Sequence, residues 1–445
     1  MDRICRIISD SAYEPLEDQD DDAEDHAQRP PLNRFSWFEY GVFSLLGVAM
    51  LWAWNMFLAA APYFHDRFGS SEWLATHYQS SILSVSTVTN LVTAYTLARK
   101  QKNVSYPRRV TVSLVLNCTI FTLLAFSTIA LRDISASAYF SFLMVMVLGA
   151  SLATGLNQNG VFAYVAGFGW EEYTQAIMGG QGVAGVLPCI AQILSVLVVP
   201  RRASRDQETH ASPKSAFIYF LTATAVSVLT LFAFLYLLKK RPHTRPKSRG
   251  DDEDEDVNLV DHDHSHNKTV SLWTLFNKLR YLSIAVFLCF TITMMSFPVY
   301  TSEILSVNDP EKSRLYDPSV FIPLGFLFWN VGDLGGRILV SSPRLSLAHR
   351  PRLAFIFSIA RIGFVPLYLL CNVNGRGAFV SSDFFYLFIV QLFFGITNGY
   401  LVSSCMMGAS YWVADDEREA AGGFMSMMLV GGLAAGSLLS FLLAS

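Results

Sequence analysis

The residues best placed to do chemistry lie in one short stretch, F-L-F-W-N-V-G-D-L-G-G-R-I-L from Phe326 to Leu339. It sets an acid and a base deep inside an apolar segment of about membrane-spanning length. Asp333 and Arg337 are i and i+4, so a helix stacks them on one face, where an ion pair offsets part of the cost of desolvating each charge. Asn330 lies one turn earlier on nearly the same face. A charged group at bilayer depth faces a protein interior or a wet cavity, not lipid. The spacing therefore predicts a helix lining the working centre of a membrane protein. Gly332, Gly335 and Gly336 are expected to thin the other side so that a neighbouring helix approaches closely. The bland alternative is that the pair is only glue between helices.

Other polar residues inside apolar segments are mostly amides: Asn55, Gln79, Asn90, Asn157, Gln158, Asn159, Gln181, Gln192, Asn330, Gln391 and Asn398. An amide-lined interior offers donors and acceptors without net charge, which suits a neutral hydrogen-bonding solute better than an ion. Two tryptophans, Trp52 and Trp54, stand mid-segment, too deep for an interfacial belt, and one of them is expected to cover a flat ring of a solute. The glycine runs at 179–185 and 422–436 sit in apolar helices with no preceding strand. They read as close-contact faces and not as phosphate loops.

The elements that position these residues follow from composition. Of 445 residues, 52% are hydrophobic and 16% charged, too apolar for a soluble protein of this size. Eleven apolar segments are each near the ~20 residues that cross a bilayer: 37–64, 79–98, 108–131, 137–166, 175–200, 214–238, 279–303, 318–341, 350–372, 383–413 and 420–444. The expected fold is an all-α integral membrane protein of eleven transmembrane helices in a six-plus-five bundle arrangement. Its expected parts are a disordered acidic N-terminus (1–36), six spans (37–238), a disordered charged loop (239–274) and five spans (275–445). Pro188, Pro298 and Pro366 are expected to bend their helices.

Basic residues place the sides. Arg99, Lys100, Lys102, Arg108 and Arg109 fill one loop, Lys239, Lys240 and Arg241 open another, and Arg344, Arg350 and Arg352 mark a third. By the positive-inside rule these loops and the N-terminus are cytoplasmic, and the C-terminus is lumenal or extracellular. Arg201, Arg202, Arg205 and Lys214 object, and are outvoted. No hydrophobic run precedes residue 37, so no cleaved signal peptide is expected. Tyr13-Glu14-Pro15-Leu16 resembles a tyrosine-based sorting signal, a pattern short enough to arise by chance.

Several classes are excluded. Net charge is −3, with acids gathered in the two polar segments, so no nucleic-acid partner is implied. All nine histidines fall outside the eleven segments, leaving no imidazole to carry or hold a transition metal in the membrane. His262, His264 and His266 alternate with acids in the charged loop, where a solvated linker is the expectation. The six cysteines lack metal or disulfide spacing. An intramembrane aspartyl protease needs two facing aspartates, and Asp333 has no deep second acid. No enzyme activity, cofactor or obligate protein partner is expected.

Together the motifs resemble one family. Trp54-Asn55 before Tyr63-Phe64, G-G-Q-G-x-A-G at 179–185, Asn330-x-x-Asp333-x-x-Gly336-Arg337, Arg361 with Pro366 and Cys371-Asn372, and Asn398-Gly399-Tyr400-Leu401 before a glycine-rich last span are similar to the equilibrative nucleoside transporters. The resemblance covers all eleven spans in order, and the whole looks most like the fungal, vacuolar-type branch. It implies a fold similar to the major facilitator type and a central site reached alternately from each side. It implies as substrates nucleosides of the adenosine, uridine, cytidine and guanosine class, with nucleobases open, and a vacuolar, lysosomal-type or plasma membrane. Within the family a first-span tryptophan lies against the nucleoside, a fourth-span glutamine contacts the base, and the eighth-span aspartate and arginine hold the ribose. Those positions match Trp54, Gln158, Asp333 and Arg337, with Leu51, Asn55 and Asn330 beside them. Trp52 and Ala53 depart from the family pattern, and the fourth-span match needs one extra residue before Gly179, so Asn157 or Asn159 could take the part of Gln158. The alternative is a major-facilitator carrier of another neutral polar solute.

Overall fold

A computed structural model of the chain describes residues 35–100, 104–198, 213–240, 270–342 and 344–443. The expectations for the N-terminal tail, for Tyr13 to Leu16 and for the histidine-bearing loop lie outside the described residues.

The helices are α1 (Trp37–Ala59), α2 (Ala61–Phe68), α3 (Glu72–Arg99), α4 (Tyr106–Ala130), α5 (Ala136–Ala166), α6 (Glu171–Val198) and α7 (Pro213–Lys240), then α8 (Leu272–Glu303), α9 (Pro318–Leu339), α10 (Pro351–Ala360), α11 (Phe364–Leu369), α12 (Phe393–Gly408) and α13 (Arg418–Leu443). Short polar residues start several of them. Ser105 accepts from the Arg108 amide, Ser135 from Ala138, Ser271 from Trp273, and Asp317 from Ser319 with Pro318 opening the first turn. α1 runs almost directly into α2. The span from Pro351 breaks at a 3₁₀ turn, Arg361–Gly363, ahead of Pro366, whereas α6 and α8 continue through Pro188 and Pro298. α12 is preceded by wide π-helical turns at Phe385–Leu392.

Among the described residues, ten helical spans are long and apolar enough to cross a membrane. α9 is the eleventh; Asn330, Asp333, Arg337 and its glycines lower its hydropathy, although it packs inside the bundle. The spans are longer than the apolar runs, and so His65 and His77, expected outside them, sit on the ends of α2 and α3.

Packing divides the bundle. In the first half α1 lies on α6, α4 on α5 and α7, and α3 on α5; in the second, α8 lies on α13 and α10, and α9 on α12. Contacts of α6 with α9, and of α3 and α5 with α13, join the halves. On the face where α1 begins, one continuous core draws on both halves, including Phe43, Val161, Tyr173 and Met178 with Val286, Cys405, Phe424 and Met425. Toward the opposite face the halves keep separate cores, one around Phe64, Phe121, Tyr139 and Phe220, the other around Phe297, Tyr300, Phe321 and Tyr368. Burial follows suit. Asn157 to Ala166 of α5 and Leu401 to Gly408 of α12 are buried on every side, while the earlier turns of α5 bury a single stripe, Tyr139, Leu143, Val147 and Ser151. The apolar core is thus shared at one face and divided at the other, where Arg314, just before α9, still donates to the Val196 and Leu197 carbonyls at the end of α6.

Candidate functional site

α9 brings Asp333 and Arg337 together as their spacing requires. Arg337 Nε donates to Asp333 Oδ2 at 2.6 Å, and the two residues are 4% and 3% exposed, so the pair is desolvated. Arg337 Nη1 crosses to the first half, donating to the Met178 carbonyl at 2.9 Å and to Gln181 Oε1 at 3.2 Å. Its Nη2 has no hydrogen-bond partner among the described residues. The other carboxylate oxygen, Oδ1, accepts from Asn398 Nδ2 at 2.6 Å. A carboxylate has about four acceptor positions, so two remain beside the spare guanidinium nitrogen.

Asn398 is fixed from behind. Its Oδ1 accepts from the Thr293 hydroxyl at 2.9 Å and from the Cys289 thiol at 3.4 Å. Behind these lies Arg361, 2% exposed, with all five of its N–H groups used. Nε donates to Thr397 Oγ1 (3.2 Å), Nη1 to the Cys289 carbonyl (2.9 Å) and Sγ (2.6 Å), and Nη2 to Thr293 Oγ1 (3.0 Å) and the Phe394 carbonyl (3.3 Å). The Phe394 ring lies 4.5 Å from the guanidinium carbon. Every acceptor is neutral.

This layering depends on close backbone approach. A Cβ at Gly332 or Gly336 would fall on the carbonyls of Leu392 or Ile396, and one at Gly395 or Gly399 on those of Trp329 or Asp333, so α9 and α12 meet backbone to backbone. Gly335, expected to share that seam, faces open space because it lies a third of a turn away. Toward α6, Gly182 makes room for Leu334 and Arg337, and Gly185 for Asn330.

The remaining expected residues form a second group. Leu51, Trp54 and Asn55 share one face of α1. Asn55 Nδ2 donates to the Ala184 carbonyl at 2.8 Å, which ties it to the α6 strip that also meets Asn330 and Arg337. Asn330 Nδ2 itself turns back to the Phe326 carbonyl at 2.8 Å. Trp54 lies parallel to Phe57 at 6.1 Å and walls a small cavity with Asn117, Phe121, Ser151 and Thr154. Gln158 follows Thr154 by one turn of α5. It is buried and its Oε1 has no hydrogen-bond partner. Both polar atoms of Asn157 are likewise without partners, whereas Asn159 Oδ1 is taken by Arg109. Among the described residues no hydrogen bond joins Trp54 or Gln158 to Asp333 or Arg337.

Sequence reading missed the roles of Asn398, Thr293, Gln181 and Arg361. Arg361 was detectable, since it is an unpaired arginine within an apolar segment, and that alone marks a site worth explaining.

The comparisons with known proteins point the same way. Residues 143–445 match the family model described as nucleoside transporter. The chain is 29% identical over 439 residues to the nucleoside transporter FUN26 of Saccharomyces cerevisiae, covering 90% of this chain and 83% of that protein. It is 28% identical to equilibrative nucleoside transporter 1 of Homo sapiens, covering 90% and 95%. Solved structures with a similar fold include the major facilitator transporter FucP in its outward conformation (TM-score 0.54, 12% identity, 91% of each chain) and a bacterial homologue of the iron transporter ferroportin in its outward-facing state (TM-score 0.57, 13% identity, 92% and 93%). An all-helical bundle of the major facilitator type, buried amides such as Asn157, Gln158, Gln181 and Asn398 (Gln79 and Gln192, expected to face inward, are exposed) and a buried acid–base pair thus meet a family match over more than half the sequence, and the chain belongs to the nucleoside transporter family.

Proposed function

We propose that this carrier binds the sugar of a nucleoside at Asp333 and Arg337 and its base against Trp54 and Gln158, then passes it across the membrane by alternating access. One observation carries the reading: two unused acceptor positions of Asp333 lie beside the unpartnered Nη2 of Arg337 in a desolvated centre. Vicinal hydroxyls fill such a set, donating to the carboxylate while their oxygens accept from the guanidinium. The unpartnered Gln158 carbonyl oxygen suits a base N–H, and the Trp54 indole a flat ring. Leu51, Asn55 and Asn330 border the path between the groups.

On the basic loops the N-terminus is cytoplasmic, so the face that carries the shared core is the cytoplasmic one. The separate cores of the two halves support rocking about a fixed site. The vacuolar membrane is the proposed location, on the resemblance of the whole sequence to the fungal, vacuolar-type branch of the family.

Uptake of radiolabelled uridine and adenosine into proteoliposomes, with and without a pH gradient, tests the reading. Saturable uptake that unlabelled nucleosides suppress and glucose does not is expected. Suppression by glucose alone would give the site to a sugar.

A further inference from the structure

Among the described residues three charged side chains are buried in the second half, Asp333, Arg337 and Arg361, and only the first two form an ion pair. Arg361 touches no carboxylate among the described residues and has no N–H left for a solute, so direct binding does not explain it. Its neighbours do. The single proton of the Thr293 hydroxyl has two acceptors in reach, the Cys289 carbonyl at 2.8 Å, one helical turn back, and Asn398 Oδ1 at 2.9 Å. Left alone, a helical threonine takes the first, the local bond to its own backbone. Arg361 Nη1 already donates to that Cys289 carbonyl, and Nη2 donates into the Thr293 oxygen from the other side. Both contacts turn the hydroxyl proton toward Asn398.

We infer that Arg361 is a positioning residue for Asp333, acting through Thr293 and Asn398 to hold the Asn398 amide in place against the carboxylate. An amide is nearly symmetric in shape, so its orientation is decided by its partners. With Oδ1 held by the Thr293 hydroxyl and the Cys289 thiol, Nδ2 must face Asp333, and the carboxylate keeps its remaining acceptor positions toward the solute. Without Arg361 the hydroxyl returns to the Cys289 carbonyl, Asn398 Oδ1 loses that donor, and the amide is freer to swing off the carboxylate. The inference deepens the proposed function and rests on Asp333 being a substrate acceptor.

The test uses the full-length carrier in proteoliposomes, with uptake scaled to folded protein counted by fluorescence-detected size exclusion. Thr293→Val keeps the shape and removes the hydroxyl; Thr293→Ser keeps the hydroxyl. Thr293→Val is expected to raise KM for uridine about tenfold with a smaller change in maximal rate, and Thr293→Ser to stay near the parent. Arg361→Lys should raise KM too, and combining it with Thr293→Val should add little, because both break one relay. Equal KM values for the valine and serine variants, or effects that multiply, would overturn the inference. So would variants that lose folded protein while KM holds, since Arg361 would then only pack. The ribose reading is judged separately in the parent: equal competition by uridine and 2′-deoxyuridine there sinks that reading, while the KM comparison still decides the relay.

Discussion

Arg337 binds Asp333 through Nε at 2.6 Å and reaches α6 through Nη1, while its Nη2 has no hydrogen-bond partner among the described residues. A pair serving only as glue would be expected to use its donors on neighbouring helices, as Arg361 does with all five.

Asp333→Asn preserves shape but removes the anion, and uridine uptake should fall close to background while the protein still folds. Arg337→Ala leaves a buried carboxylate without its cation, at a cost of about 3–5 kcal/mol, so the folded yield should fall as well. Uptake per folded molecule separates the two, and parent-like uptake by Asp333→Asn would remove the carboxylate from the site.

Deoxyribose provides a second measurement. A nucleoside lacking one hydroxyl leaves part of a buried charged acceptor unpaired, at about 1–3 kcal/mol or roughly tenfold to a hundredfold in affinity. Uridine should therefore outcompete 2′- and 3′-deoxyuridine, and uracil should be weakest. Equal inhibition by all four would shift recognition from the sugar to the base.

Gln158 separates stability from selectivity. Its Oε1 is buried without a partner, so Gln158→Leu should leave the thermal midpoint unchanged or raised, by up to about 1 kcal/mol in stability. The same change should alter the ranking of adenosine, cytidine and uridine as competitors. An unchanged ranking would free the base from this residue.

Two glycines on one helix pair give opposite outcomes. Gly399→Ala drives a methyl onto the Asp333 carbonyl and should cost about 1–3 kcal/mol or more, with lost uptake. Gly335→Ala meets nothing and should behave as the parent. Melting curves in detergent check both, and equal midpoints would dismiss the backbone seam.

Much of this was legible in the sequence, for physical reasons. The spans follow from apolar length, because a bilayer tolerates little else, and Asp333 with Arg337 from helical spacing. The helix ends of α2 and α3 were less legible, since polar turns such as His65 to Arg67 extend past the apolar run. Arg361 was visible as a motif residue, yet its partners are neutral groups from α8 and α12, brought together only by folding. Asn398 likewise looked like one amide among many, and only the fold shows it held between Asp333 and the Thr293 hydroxyl. The offset of Gly335 from Gly332 and Gly336 needed the position of α12, which no single-helix pattern contains.

The glycine contacts also sort by what they meet. Three helix pairs within the halves meet backbone to backbone: α1 and α6 at Gly47 and Gly180, α9 and α12 at Gly332 and Gly399, α8 and α13 at Gly432 and Gly436. Between the halves, Gly182 and Gly185 meet side chains instead, those of Leu334, Arg337 and Asn330, and the inter-half backbone contact of Gly422 with Phe162 lies at the face that carries the shared core. Backbone contacts have no rotamers to spend, whereas side chains can swing to a new seat. Each of these pairs is thereby a stiff unit, whereas the α6–α9 seam between the halves is surfaced with Arg337 and Asn330, side chains proposed to hold or border the solute, so a solute seated there would bear directly on the joint.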